Sequence, residues 1–133
     1  MEREGNYNKM FEQDYVMRLI KEMVRAVLKM LFHMDTDSPT DELLRESEEK
    51  ETLKTLLDLV EQGKINQAEN SLYEFTSQGS MSGLKIALLF YSYLNDKTDD
   101  FLGQNDFSRE EIKEGLNDMI SQYGVDGITD MFM

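Results

Sequence analysis

Four cations, Arg18, Lys21, Arg25 and Lys29, recur at helical spacing in the segment Tyr15 to Phe32, YVMRLIKEMVRAVLKMLF. At ~100° per residue they share one strip of the helix with Glu22. Such a row can hold an anion or a phosphate backbone, or it can pair with carboxylates. The carboxylates are at hand in the run Asp41, Glu42, Glu46, Glu48, Glu49 and Glu51. If a second helix runs antiparallel to the first, the run begins beside Arg25 and Lys29. Each exposed pair would contribute only ~0–1 kcal/mol. We therefore read the strip as paired internally or solvated, with an anion or nucleic-acid contact as the functional alternative.

Other residues offer less chemistry. His33 is the single histidine, and a lone His at a helix C-terminus is a favourable dipole partner. Without a second His or any Cys it cannot anchor a His-rich or thiolate metal site. Asp35, Asp37, Asp41 and Glu46 fit positions 1, 3, 7 and 12 of a calcium loop, but Pro39 and Thr40 occupy positions that need a carboxylate and a glycine. The phosphate-binding glycine loop, G-x-S-x-G and H-E-x-x-H are all absent. Carboxylate-based catalysis leaves no such signature. Ten methionines fall mostly on apolar helix faces, as core filling does, while Met131 and Phe132 near the C-terminus either dock or present a patch to a partner.

Composition narrows the class. The chain has 133 residues, 31% charged and 40% hydrophobic, with a formal net charge of −13. That size and balance suit one soluble domain with a real core. The negative charge opposes nucleic-acid binding by the surface as a whole. The absence of cysteine excludes thiol chemistry and fits a reducing, cytoplasmic setting. The polar, acidic start MEREGNYNKMFEQDY is unlike a signal peptide. The charges within the first apolar segment make a membrane span costly.

The elements that must position these residues are helical. Residues 1–10 read as a flexible lead-in and 11–133 as a single domain. Helix one is expected over about 11–33. Its apolar arc is roughly twice that of an ordinary surface helix, which predicts that it lies at the centre of the bundle. Ser38 and Pro39 read as the cap and first residue of helix two, over 39–62. Gly63 suits a left-handed C-terminal position, and Asn66 suits a cap for helix three, over 67–78. LKIALLFYSYL marks helix four, over 81–94, as almost wholly buried. NDKTDDFLGQNDF reads as a polar connector pinned by Phe101, Leu102 and Phe107. Ser108 and Glu111 form an S-x-x-E capping box before helix five, which stops at Gly124.

The segments MFEQDYVMRLIKEMVRAVLKMLF, EQGKINQAENSLYEF and FYSYLNDKTDDFLGQNDFSREEIKEGLNDMISQYGV resemble a small family of Gram-positive bacterial proteins known as a domain of unknown function. That resemblance implies an all-helical fold and no activity. Gly63, Ala68 and Leu72 are also similar in spacing to one tetratricopeptide hairpin, although Phe75 and Ser80 depart from it. The sequence therefore reads as an all-α bundle of about five helices containing a TPR-like hairpin. Its expected role is a non-enzymatic protein–protein interaction or scaffold module, with a protein partner or a second copy, no cofactor and no metal. The candidate contacts are Arg18, Lys21, Arg25, Lys29, Met131 and Phe132. A nucleic-acid-associated regulator and a carboxylate enzyme stand as alternatives.

Overall fold

The computed structural model describes the backbone of residues 2–124 and the side chains of residues 13–124. Six α-helices and one 3-10 turn make up these residues, with no strand among them. The architecture is the all-α bundle that periodicity predicts.

The axis is α4, Met81–Asn95. Apolar side chains from Leu84 to Leu94 favour burial on most sides, and Ser80 starts the helix by accepting from the Gly83 N–H at 3.1 Å. Leu84, Ile86, Ala87, Leu88, Phe90, Tyr91 and Leu94 are wholly buried. Helices α1 (Glu2–Phe32), α2 (Ser47–Glu61), α3 (Ile65–Thr76) and α6 (Arg109–Gln122) all pack on α4.

This corrects the expectation that the N-terminal helix is central. α1 packs against α4 and α6 on one side. Its buried residues Val16, Ile20, Met23, Val24, Val27 and Leu28 follow an ordinary i, i+4, i+7, i+8 stripe. The physical reason is the cation strip, which has to stay in water and so keeps one whole side of α1 uncovered. Ser82, Lys85 and Ser92 of α4, by contrast, are only half-exposed.

The second helix begins later than Pro39 suggests. Residues Asp41–Leu43 form a single 3-10 turn and α2 starts at Ser47. Leu43 and Leu44 are both buried there, so this turn is pinned to the core although it lies outside α2. Ser38 is no helix cap; its N–H donates to Thr36 Oγ1 at 3.1 Å in a local turn.

Gly63 takes φ 79°, as its place after α2 requires. The following helix starts at Ile65 rather than after an Asn66 cap, because Ile65 is drawn into the core. The polar connector contains a helix of its own, α5, Asp99–Gln104, capped by Thr98 accepting from the Phe101 N–H at 3.1 Å. Leu102 and Phe107 are buried, as the pinning argument requires, and Phe101 packs on the core edge. Ser108 caps α6 by accepting from the Glu111 N–H at 3.1 Å.

Candidate interaction surface

The outward side of α1 carries the strip. Arg18, Glu22, Arg25 and Lys29 are exposed and Lys21 is half-buried. Arg25 Nε donates to Asp35 Oδ1 at 2.6 Å, and Glu22 stands 3.9 Å from the same guanidinium. The hydrogen bond from Arg25 holds the Asp35 carboxyl below the usual range, and Asp35 raises Arg25 in return. Among the described residues, Arg18, Lys21 and Lys29 form no ion pair. Arg18 reaches only the Asp14 carbonyl, at 3.5 Å. None of the carboxylates from Asp41 to Glu51 pairs with the strip, because α1 is packed on α4 and α6 rather than on α2. Of the two bland readings, pairing survives only at Arg25 and solvation describes the other three cations.

An apolar border runs along this strip. Tyr15 is 62% exposed and Met30 56%, with Leu19 and Ala26 half-buried between them and the exposed Glu22 interrupting the row. Tyr15, Arg18, Leu19 and Glu22 frame a shallow cleft of about 350 Å³. Met131 and Phe132, the other two candidate contacts, lie outside the described residues.

Three polar networks escaped the sequence reading. Arg109, only 3% exposed, ties the end of α4 to the start of α6. Its guanidinium donates to Asp99 Oδ1, to the Asn95 carbonyl at 2.6 Å and to the Lys97 carbonyl at 2.7 Å. Asn95 Nδ2 in turn donates to the Met17 carbonyl at 3.0 Å, fixing α1 to the same corner. Lys97 pairs with Glu61 and stands 4.8 Å from the ring centres of both Tyr93 and Phe101. Tyr91 donates to Glu69 Oε2 at 2.8 Å. Burial, with Glu111 and Asp118 nearby, pushes the Glu69 carboxyl up despite that bond. Burial likewise raises the Tyr91 and Tyr73 hydroxyls. The one sequence signal for this last network is Gly115, a glycine inside a helix.

Glu69 can hold a proton at higher pH than an ordinary glutamate, but the group that donates to it is a phenol that burial keeps neutral. That pair stabilises structure more readily than it moves protons for a substrate. Among the described residues, no three His, Asp or Glu side chains converge as a metal site. Asp35, first in the loop considered for calcium, is engaged by Arg25.

The chain belongs to the family of unknown function DUF6483. The family profile matches residues 10–124. The match takes in the open side of α1 and every network above. No curated protein and no solved structure matches the chain. No helix among the described residues is long and apolar enough to cross a membrane.

Proposed function

We propose that this protein is a non-enzymatic interaction module that docks a protein partner on the open side of α1. One observation carries the proposal. Tyr15 and Met30 stand in water beside Arg18, Lys21 and Lys29, which have no carboxylate partner among the described residues. Exposed aromatic and methionine side chains bordered by unpaired cations suit an amphipathic helix whose apolar face is flanked by Asp and Glu. On a chain of net charge −13, a local positive strip also selects its partner, since it attracts an acidic segment that the rest of the surface repels.

Charge argues against the alternatives. A two-fold pairing of two copies on this face would bring like cations together. A nucleic acid would meet four cations on a molecule with 27 acidic residues. Against an enzyme stands the Glu69 carboxyl, the one described carboxyl that burial pushes up, because it is engaged by Tyr91.

The test is affinity purification of the full chain from its own cells, with three forms compared. The wild type and a Met81→Ser control should recover the same acidic partner, since Met81 is an exposed apolar residue on another helix. The double variant Tyr15→Ser/Met30→Ser should lose it at least about tenfold, the effect of one interface anchor. Recovery should also fall with Arg18→Glu and with rising salt. Equal recovery by all forms, or retention on a phosphate column that falls steeply with salt, would refute the proposal.

A further inference from the structure

A second concave site lies where α1 ends, and it is independent of the docking proposal above. α1 stops at Phe32, and His33 turns the chain with φ 56°, a left-handed conformation that few residues other than glycine adopt. The Met34 N–H reaches back to the Leu28 carbonyl at 3.2 Å and secures the turn. The chain then crosses to the 3-10 turn, where Leu43 and Leu44 enter the core beside α4. Between these segments is a cavity of about 490 Å³.

Phe32 and Leu43 supply apolar wall, and His33, Arg45 and Lys85 bring three basic side chains to the same cavity. Glu42 is its single acid. Lys85 is half-buried and its Nζ stands 5.2 Å from the centre of the Phe32 ring. Among the described residues, neither Arg45 nor Lys85 has an ion pair or a side-chain hydrogen bond. With His33 neutral, the cavity carries one net positive charge on a strongly acidic chain.

We propose that this cavity binds a small monocarboxylate with an apolar body. The carboxylate sits between Lys85 and Arg45, and the hydrocarbon lies against Phe32 and Leu43. A volume of this size falls in the range of small-molecule pockets, roughly 300–1,000 Å³. The single net charge suits a monoanion, because Glu42 opposes a phosphate dianion. The apolar wall suits a ligand with a hydrocarbon part over a bare inorganic ion.

Octanoate is the probe, added to the full chain at pH 7.5 in low salt and followed by amide NMR shifts. The expected result is saturable binding with shifts confined to residues 31–34, 40–45 and the first turns of α4. Octanol at the same concentration should bind at least tenfold more weakly, and inorganic phosphate should give no saturable shifts there. Lys85→Met, which keeps an apolar stem over Phe32, and Arg45→Gln, at an exposed position, should each weaken octanoate tenfold or more while leaving the amide spectrum folded. Octanol binding as well as octanoate, phosphate producing the same shifts, octanoate shifts absent or scattered over the surface, or undiminished binding by both variants would each overturn the proposal.

Discussion

Gly115→Ala is the sharpest test of how the bundle is packed. Gly115 lies in α6 where that helix crosses α4. A methyl group built there would sit 2.6 Å from the Tyr91 hydroxyl oxygen, 2.8 Å from Tyr91 Cε1 and 2.8 Å from Glu69 Oε2. The Glu69 side chain can swing away. The Tyr91 ring cannot, because it is fully buried and set edge-on to Phe90 at 5.1 Å. Alanine gains about 1 kcal/mol of helix propensity over glycine. Against this, overpacking costs roughly 1–3 kcal/mol, and loosening the tyrosine–carboxylate bond costs on the order of 1–2 kcal/mol more. The net expectation is a loss of about 1–4 kcal/mol. Gly103→Ala is the matched control: Gly103 is helical and exposed, and nothing lies within 4 Å of its added methyl group. That variant should gain up to about 1 kcal/mol. Urea denaturation followed by far-UV circular dichroism measures both. If Gly115→Ala proves as stable as Gly103→Ala, the close approach of α6 to Tyr91 is wrong.

Three other perturbations follow from the same structure. Arg109→Lys replaces a forked cation that bonds Asp99, Asn95 and Lys97 with a single ammonium, and it should cost about 2–4 kcal/mol in denaturant titrations; a loss below about 0.5 kcal/mol would refute the anchoring role. Glu69→Gln should stabilise the protein on the order of 0.5 kcal/mol at pH 7, a figure discounted for the solvent that still reaches this carboxyl. Burial raises the folded-state pKa of Glu69, so in the wild type its proton is lost first from the unfolded chain as pH rises, and stability falls between the unfolded and folded pKa values. The advantage of Gln should therefore vanish below about pH 4, where the carboxyl is protonated in both states, and an advantage persisting there would contradict the assignment. His33→Gly should stabilise by about 0.5–1 kcal/mol by relieving the left-handed backbone, read as a rise in thermal midpoint; a fall would mean that the imidazole makes contacts that outweigh the strain.

What the chain decided locally could be read from its letters. The i, i+3, i+4 rows marked helices because an apolar stripe must be buried whatever covers it. Gly63, Gly79 and Gly124 end helices with φ of 79°, 73° and 78°, since a left-handed residue is needed within the same turn. Ser108 caps α6 through a bond spanning three residues. These interactions are complete within a few residues, so spacing alone reveals them.

Tertiary structure decided everything that depends on which surfaces meet. It made α4 the axis and left α1 open along its cations. It started α2 at Ser47, after a 3-10 turn that buries Leu43 and Leu44. It matched Tyr91 to Glu69 across 22 residues and Asn95 to the Met17 carbonyl across 78. The acids and the cations were visible in the sequence, but Coulomb attraction falls off with distance and solvent screens it. Only the path of the backbone could assign Asp35 to Arg25 and leave Arg18, Lys21 and Lys29 without an acid among the described residues.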